Sequence, residues 1–311
     1  MSLSHFSQRH RINRVINYAR RHIADGLTLE QMSDVACLSK YHFSRVFAAH
    51  MMETPAQFVA RLRLERAAGA LVRTKTTPVT EIALTNGFSG SDVFARAFRK
   101  RFGVAPQQFR KLRWSGLDAL DQRLAIRAQI YTPGQNVFST PTQPFDVQIE
   151  RRPEYHVAYI RHMGPYGDVS SSITKTFQRL QQWAKSKGLL PAKTSFLGRG
   201  TDDCSITPAR FCTYDACLIL SDFILEDDIV SVQTIPAGEF AVLRVLCGAE
   251  QANRHWDWLI GQWLPTSERT LAPQPSYEFF PEKGADTVNP EGGFEICLPV
   301  SKRRPQTKFR L

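Results

Sequence analysis

The sequence has few cysteines, and they form no pattern that is typical of a metal site or a redox pair. Its six cysteines include no C-x-x-C motif, and no histidine pair stands at zinc-finger spacing from them. We therefore expect buried thiols, no metal and no other cofactor. The cysteines are Cys37, Cys204, Cys212, Cys217, Cys247 and Cys297.

Long hydrophobic runs are also absent. No run approaches the ~18 consecutive apolar residues that span a bilayer, and the letters MSLSHFSQRH lack the apolar core of a secretion signal. We therefore expect a cytoplasmic protein with no membrane partner. Because 42% of the 311 residues are hydrophobic, the chain can bury more than one core. At roughly 100 to 200 residues per domain, its length predicts two domains.

Acidic residues are scarce in the first third of the chain. Residues 1–113 hold 19 Lys and Arg against 7 Asp and Glu, a charge of 19 − 7 = +12, whereas residues 114–300 hold 16 against 22, a charge of 16 − 22 = −6. A strongly basic segment is typical of a domain that binds nucleic acid, and double-stranded DNA is the partner we expect. A solvated basic surface is the alternative that charge alone leaves open.

The basic segment repeats the frame Phe-x-Arg-x-Phe. FSRVF (43–47) returns as FARAF (94–98) at an offset of 94 − 43 = 51. On a helix the two phenylalanines of each copy lie on one face, while the arginine between them, Arg45 or Arg96, points about 200° away. The repeat predicts two helices that are anchored by aromatic rings and that each present an arginine outward.

A short helix is predicted before each copy. Thr28 and Gln31 can form a capping box at the start of one, and Thr77-Pro78 predicts a cap followed by proline at the first position of the other. A short helix, a turn and a second helix make a helix-turn-helix unit, whose second helix enters the major groove. The helix that opens at Thr54-Pro55 and runs to Arg73 has ~19 residues and spans about 28 Å. That length compares with the ~34 Å between successive major-groove faces.

The segments RLRLERAAGAL (61–71) and EIALTNGFSGSDVFARAFRKRFGVAP (81–106) resemble the DNA-binding signature of the AraC/XylS transcription regulators. The segment SKYHFSRVF (39–47) is especially similar to the Rob-like subgroup of that family. The resemblance covers residues 6–113. It implies an all-α domain of two helix-turn-helix units, with double-stranded DNA and RNA polymerase as partners. It also implies DNA contacts by residues of both recognition helices. These are Tyr41, His42, Ser44 and Arg45 in the first and Ser91, Asp92, Ala95 and Arg96 in the second. We expect Lys40 and Arg99 to contact phosphates.

Residues 114–144 carry prolines and polar residues, and we predict that they form a linker. A second repeat lies beyond them. RPEYHVAYIRHMG (152–164) returns as IPAGEFAVLRVLC (235–247) at an offset of 83, and Cys217 matches Cys297 at an offset of 80. Each copy predicts strands around one helix that contains tryptophan. The predicted fold class is therefore multidomain, with an all-α tandem helix-turn-helix domain and a duplicated α+β domain whose pseudo-twofold halves enclose a cleft.

Three segments of this half resemble the GyrI-like effector-binding domain over residues 145–300: GPYGDV, PSYEFFPE and GGFEICLPV. The resemblance implies that Glu278 faces the cleft and meets a cationic or polarised effector. A carboxylate among aromatic residues is costly to bury without a donor or a cation, although a strand residue can also alternate out to solvent. Residues 301–311 are predicted to be a basic tail. The aromatic candidates for the pocket are Tyr166, Trp183, Trp256, Tyr277 and Phe279.

These features predict a sequence-specific DNA-binding transcription regulator, an activator, whose C-terminal domain binds a small amphipathic or cationic effector. We expect no enzymatic activity, because no Ser-His-Asp set and no metal arrangement stands out. Two alternatives stay open for the C-terminal domain. It could be a protein-interaction surface without a ligand, or a hydrolase that acts on small molecules.

Overall fold

The computed structural model divides into two units. The first comprises Met1–Gly134 and Asp203–Phe211, and the second comprises Gln135–Asp202 and Cys212–Leu311. The predicted linker from residue 115 onward and the predicted tail beyond residue 302 lie outside the described residues. The structure describes residues 3–74, 76–114, 145–165, 169–189, 194–203, 206–222, 224–227, 229–246, 252–272, 274–281 and 293–302.

The first unit is helical, and its order of helices contains the short-helix, turn and longer-helix pattern twice. None of the helices among the described residues of the chain is both long and apolar enough to cross a membrane. The helices are α1 (Leu3–Arg21), α2 (Leu29–Ala36), α3 (Lys40–Met51), α4 (Pro55–Arg73), α5 (Val79–Thr85), α6 (Ser91–Phe102) and α7 (Pro106–Trp114).

Local sequence determines where these helices begin. The Thr28 hydroxyl accepts from the Gln31 backbone N–H at 3.2 Å, and the Gln31 side chain accepts from the Thr28 N–H at 2.9 Å, which confirms the capping box. The predicted start of the second short helix is wrong. Its backbone is extended at Pro78 (φ −56°, ψ 141°), so that this proline precedes the helix, which begins at Val79.

Phenylalanine rings anchor both recognition helices, as the repeat predicts. Phe43 and Phe47 on α3 are fully buried, with ring centroids 5.3 Å apart, and Phe94 and Phe98 on α6 repeat both the burial and the 5.3 Å spacing. Phe58, near the start of α4, packs against Phe47 at 5.3 Å. Each recognition helix is therefore fixed by its inner face, which leaves its outer face for a partner.

The second unit is a sheet with helices. Its helical elements are α8 (Val169–Ser186), α9 (Ala252–Trp258), a π-helical turn (Leu259–Trp263) and α10 (Leu264–Thr266). Its strands are β1 (Val147–Arg152), β2 (Tyr155–Met163), β3 (Phe196–Gly200), β4 (Thr213–Ile219), β5 (Ser231–Ile235), β6 (Gly238–Val245), β7 (Arg269–Leu271), β8 (Tyr277–Phe280) and β9 (Phe294–Lys302).

The strand order shows how the two repeats combine. The order is β1-β6-β9-β8-β3-β4-β2-β5 with β7 on β9, and the first strand of each repeat pairs with the second strand of the other. The equivalent strands β3 and β8 pair with each other at the centre, where Gly198 faces Glu278. These two residues differ by 278 − 198 = 80, the offset of the repeat, so the pseudo-twofold axis passes through this pair. The predicted duplicated α+β fold is confirmed.

Side chains alternate between the two faces of this sheet. One face packs on the helices, with Ala216 and Leu218 in the cluster under α8 and Ile296 and Leu298 in the cluster under α9. The other face carries a separate buried cluster that includes Tyr277. A residue on β8 therefore faces the helices or this second cluster according to its position in the alternation.

Candidate nucleic-acid interface and effector site

The first recognition helix, α3, presents most of its predicted contact residues to solvent. Tyr41 is 75% exposed, and the Arg45 guanidinium lies 5.8 Å from its ring centroid. His42 is exposed as well, whereas the half-buried Ser44 donates its hydroxyl to the Lys40 carbonyl oxygen at 2.9 Å. Tyr41, His42 and Arg45 are thus the side chains of α3 with the most freedom to reach a duplex.

Lys40 has a partner within the first helix-turn-helix unit. Its ammonium lies 2.8 Å from a carboxylate oxygen of Glu30 on α2, and both side chains are more than half exposed. The hydrogen bond and the charge of Lys40 lower the pKa of Glu30. A phosphate contact by Lys40 therefore competes with an exposed ion pair that is worth little in water.

The second recognition helix, α6, places its charges outward in the same way. Asp92, Arg96 and Arg99 are exposed, and Ser91 and Ala95 are half-buried. The helix begins after Gly90 without a side-chain cap, unlike α3. Together α3 and α6 present one arginine at each equivalent position of the repeat.

The carboxylate of Glu278 lies at the centre of the helix-covered face of the sheet. Its Oε2 accepts from the Tyr214 hydroxyl on β4 at 2.7 Å, and its Oε1 accepts from the indole N–H of Trp256 on α9 at 3.0 Å. Both donors are neutral, and no Lys, Arg or His among the described residues lies within ion-pair distance of Glu278. Glu278 is a carboxylate that two hydrogen bonds hold in place and that no described cation neutralises.

The surroundings of Glu278 shift its pKa in opposing directions. Burial raises its pKa, and the hydrogen bonds from Trp256 and Tyr214 oppose that rise without cancelling it. A cation that entered the site would replace the lost hydration of the carboxylate and favour its charged form.

Gly198 makes the contact between Tyr214 and Glu278 possible. A Cβ atom at residue 198 would overlap the Tyr214 hydroxyl and would lie 3.1 Å from Glu278 Oε2. The tyrosine therefore crosses the space that a side chain on β3 would fill. Glycine is required here because of this close approach and not because of its backbone angles.

Two comparisons identify the units. Residues 145–301, which are 157 of the 311, match the profile of the GyrI-like small molecule binding domain, and residues 32–112 match a helix-turn-helix domain. The chain belongs to the GyrI-like family. Its first unit is an AraC-type helix-turn-helix domain.

Similar proteins match either unit. The probable transcriptional regulator LumQ of Photobacterium leiognathi is 33% identical over 32% of this chain and 40% of its own length. The transcriptional activator RhaS of Escherichia fergusonii is 34% identical over 34% of this chain and 38% of its own length, so the chain spans about two fifths of each. The crystal structure of the EcmrR C-terminal domain covers 51% of this chain and 99% of that domain, at 18% identity and a TM-score of 0.42.

In the GyrI-like domain, the neighbours of Glu278 on β8 lie on the opposite face from it, which corrects their predicted place in its pocket. Tyr277 is 1% exposed and packs on Phe240 with ring centroids 5.2 Å apart, and Phe279 stacks on Tyr155 at 6.3 Å. Successive side chains of a strand point to opposite faces, so these two aromatic residues cannot share a face with Glu278. They belong to the second cluster.

The other aromatic candidates have different positions. Trp256 contacts Glu278, as described above. Trp183 is 4% exposed in the core under α8, and its indole N–H donates to Asp227 at 2.7 Å rather than to Glu278. Tyr166 lies outside the described residues. The structure therefore brings one predicted aromatic residue, Trp256, to the carboxylate.

Two residues beside Glu278, Tyr214 and Gly198, are not among the predicted site residues. The offset of 80 that aligns Cys217 with Cys297 also aligns Gly198 with Glu278, so the position opposite the carboxylate was available from the repeat. Tyr214 had no such signal, because its bond to Glu278 depends on a path across β3 that strand pairing alone does not reveal.

Proposed function

We propose that this chain is a DNA-binding transcription regulator that uses α3 and α6 as recognition helices and binds a small amphipathic cation at Glu278. The observation that supports it most is the combination of a repeated, outward arginine in a basic unit with a carboxylate whose donors, among the described residues, are both neutral. The family of each unit agrees with the two activities, DNA binding and small-molecule binding.

The DNA-binding part of the proposal assigns base contacts to Arg45 and Arg96. Both are exposed and stand at equivalent positions of recognition helices whose inner faces are anchored by phenylalanine. Arginine recognises guanine by two hydrogen bonds to N7 and O6 in the major groove. Arg99 and Lys40 would meet phosphates, and Tyr41 would contact either a base or the sugar.

Selection of bound DNA from a random pool, followed by affinity measurements on the selected operator, tests this assignment. Arg45→Ala should weaken operator binding by roughly 1 to 3 kcal/mol and relax the preferred sequence in one half of the site. Arg179→Ala, an exposed arginine on α8 in the other unit, is the matched control and should change neither. Unchanged affinity and preference in Arg45→Ala would remove Arg45 from the interface.

The effector part assigns the cation to Glu278. A partly buried carboxylate whose described partners are all neutral gains most from a ligand that brings a positive charge. The rings of Tyr214 and Trp256 beside it, with Phe280 and Phe177 packed at 5.7 Å from each other in the adjoining core, suit an apolar or aromatic body on that ligand. An amphipathic cation meets both requirements.

Calorimetry with dodecyltrimethylammonium, kept below its micelle concentration, tests the assignment. Glu278→Gln should bind this cation at least about tenfold more weakly, because the variant loses the attraction between the carboxylate and the cation. A loss of about 1.4 kcal/mol lowers the affinity tenfold. Dodecyldimethylamine oxide, with the same chain and no net charge at pH 7, is the control ligand and should lose much less. Equal affinity of wild type and Glu278→Gln for the cation would exclude Glu278 from the site.

Two further outcomes separate this proposal from the alternatives. If no cationic amphiphile raises the melting temperature of the wild-type chain, a protein-interaction surface becomes the better account of the GyrI-like domain. If mass spectrometry shows turnover of a bound ligand that is lost in Glu278→Gln, the domain is a hydrolase.

We propose activation rather than repression, and RNA polymerase as the partner. The support is the similarity to RhaS, which is named as a transcriptional activator. Transcription in vitro from a promoter with the selected operator should rise when the chain is added with RNA polymerase. A fall would instead identify a repressor.

A further inference from the structure

A short segment between β3 and β4 belongs to the helical unit by its contacts. We call residues 206–211 of this segment the strap. Ile206 is 2% exposed and lies within the apolar cluster of the second helix-turn-helix unit. The same cluster includes Leu64, Ala68 and Leu71 of α4, Ile82 of α5, Phe98 of α6 and Phe109 of α7.

The strap also takes part in a buried polar network on α4. The Thr207 hydroxyl donates to Glu65 Oε2 at 3.0 Å, and the same oxygen accepts from Arg61 at 2.9 Å. Arg101 of α6 lies 3.6 Å from the other oxygen of Glu65 and donates to the Ile206 carbonyl at 3.5 Å. The strap therefore reaches both the helix that connects the two helix-turn-helix units and the second recognition helix.

An aromatic contact completes this arrangement. The Phe211 ring lies 4.5 Å from the guanidinium carbon of Arg61, and Phe58 of α4 lies 5.4 Å from that carbon. Phe211 is 7% exposed, and a desolvated cation of this kind is held more strongly than an exposed one. Arg61 thus depends on the strap for one of its aromatic neighbours.

The strap is followed at once by the residues that form the effector site. Thr213 at the start of β4 donates its backbone N–H and its hydroxyl to Asp202 at 2.8 Å each, which ties the two ends of the segment together. The next residue, Tyr214, donates to Glu278 at 2.7 Å. Two residues, Cys212 and Thr213, separate the aromatic partner of Arg61 from the hydroxyl that holds the carboxylate.

We infer that the strap couples the Glu278 site to the recognition helices, so that a ligand there changes the affinity of the chain for DNA. The inference rests on the proposed function. A cation that packs against Glu278 and against the ring of Tyr214 changes the position of that tyrosine, and a shift of Tyr214 moves the start of β4 and the clamped end of the strap. Because the strap fills part of the core behind α4 and α6, its position biases both helices. By linkage, DNA changes the affinity for the cation by the same factor.

A double-mutant cycle on operator affinity tests the coupling in the full chain without any ligand. One change is Tyr214→Phe, which removes the donor to Glu278, and the other is the strap variant Ile206→Ala with Thr207→Val. We expect Tyr214→Phe to change the operator Kd by about threefold or more in the wild-type background and by less than about 1.5-fold in the strap variant, in the usual range of coupling between sites.

A matched cavity distinguishes coupling from general loosening. Leu71→Ala empties space in the same apolar cluster but leaves the strap unchanged. The effect of Tyr214→Phe should persist in that background. An equal effect of Tyr214→Phe in wild type and strap variant, no effect in either, or its loss in Leu71→Ala as well, would overturn the inference.

A second arm adds dodecyltrimethylammonium. The cation should shift the operator Kd of the wild type by about threefold or more and that of the strap variant by less than about 1.5-fold, while both chains bind the cation in calorimetry. Equal shifts would overturn the coupling. If the wild type does not bind the cation at all, the proposed effector class is wrong, and the ligand-free cycle still decides whether the strap couples the two sites.

Discussion

The two halves of the GyrI-like sheet are built on one pattern, but equivalent positions do different things. At the pseudo-twofold axis one half supplies Gly198 and the other supplies Glu278. Sixteen residues beyond each, one half has Tyr214 and the other has Phe294, and of these two residues Tyr214 has the hydroxyl that donates to the carboxylate. The duplication gives both halves the same strands, and the proposed effector site lies where the two halves differ at the axis.

The two halves also have a salt bridge at equivalent positions of the repeat. Arg161 on β2 pairs with Asp215 on β4 at 2.6 Å, with side chains that are 2% and 0% exposed. Arg244 on β6 and Glu295 on β9 are the equivalent pair, at 3.2 Å, with 50% and 15% exposed. We expect removal of the arginine to cost more stability in the buried pair than in the exposed pair, because it leaves a buried carboxylate without its main partner.

The largest expected effect comes from breaking the buried pair. Arg161→Met should lower the free energy of unfolding by about 3 kcal/mol or more, because it leaves Asp215 buried beside a single remaining arginine, Arg199. Arg244→Met, the control at the equivalent position, should cost less than about 1 kcal/mol. Urea unfolding followed by tryptophan fluorescence measures both. Similar costs for the two variants would show that burial does not separate the halves.

The next largest effect is expected when the glycine opposite Glu278 is given a side chain. Gly198→Ala places a methyl group where the Tyr214 hydroxyl lies, so it should cost about 1 to 3 kcal/mol of stability and weaken cation binding about tenfold. Gly261→Ala is the control, because a Cβ there meets nothing within 4 Å. Thermal unfolding and calorimetry on both variants provide the measurement. Full cation binding by Gly198→Ala would mean that the contact of Tyr214 with Glu278 is not part of the site.

Much of the helical unit could be predicted because its signals are local. The spacing of Phe43 and Phe47 determines the inner face of α3, and the Thr28 hydroxyl can reach its own helix without any distant residue. The contribution of Ile206 could not be predicted in this way. It comes from a segment more than 130 residues beyond α4, and no local pattern marks a residue that completes a distant core.

The proposed effector site could also be predicted from the sequence only in part. The choice of Glu278 depends on family resemblance, whereas the alternation of side chains along β8 by itself excludes Tyr277 and Phe279 from the face of Glu278. The bond from Tyr214 depends on strand order, on register and on the missing side chain at Gly198 together. Such a contact becomes visible only when the pairing of β3, β4 and β8 is known.

A smaller effect is expected when the two halves are made alike in their donors. Tyr214→Phe gives the first half the aromatic ring that Phe294 gives the second, and it should cost about 1 kcal/mol of stability, the usual net value of one hydrogen bond. Cation affinity should fall less than in Glu278→Gln, because Trp256 still positions the carboxylate. Calorimetry on both variants ranks them. A larger loss in Tyr214→Phe than in Glu278→Gln would give the tyrosine the main role.

The smallest expected effect is a change in how stability depends on pH. The pKa of Glu278 is raised in the folded chain, so the folded state keeps a proton that the unfolded state releases. The free energy of unfolding of the wild type should therefore fall as pH rises from the unfolded pKa of about 4.3 toward the raised folded value. Glu278→Gln lacks this titration. Its free energy of unfolding should therefore rise relative to that of the wild type across this pH interval, and the difference should then level off. Urea midpoints at several pH values measure the difference, with the exposed Glu268→Gln as the control. If the difference in the free energy of unfolding between Glu278→Gln and the wild type shrank with rising pH, the folded chain would instead stabilise the Glu278 anion.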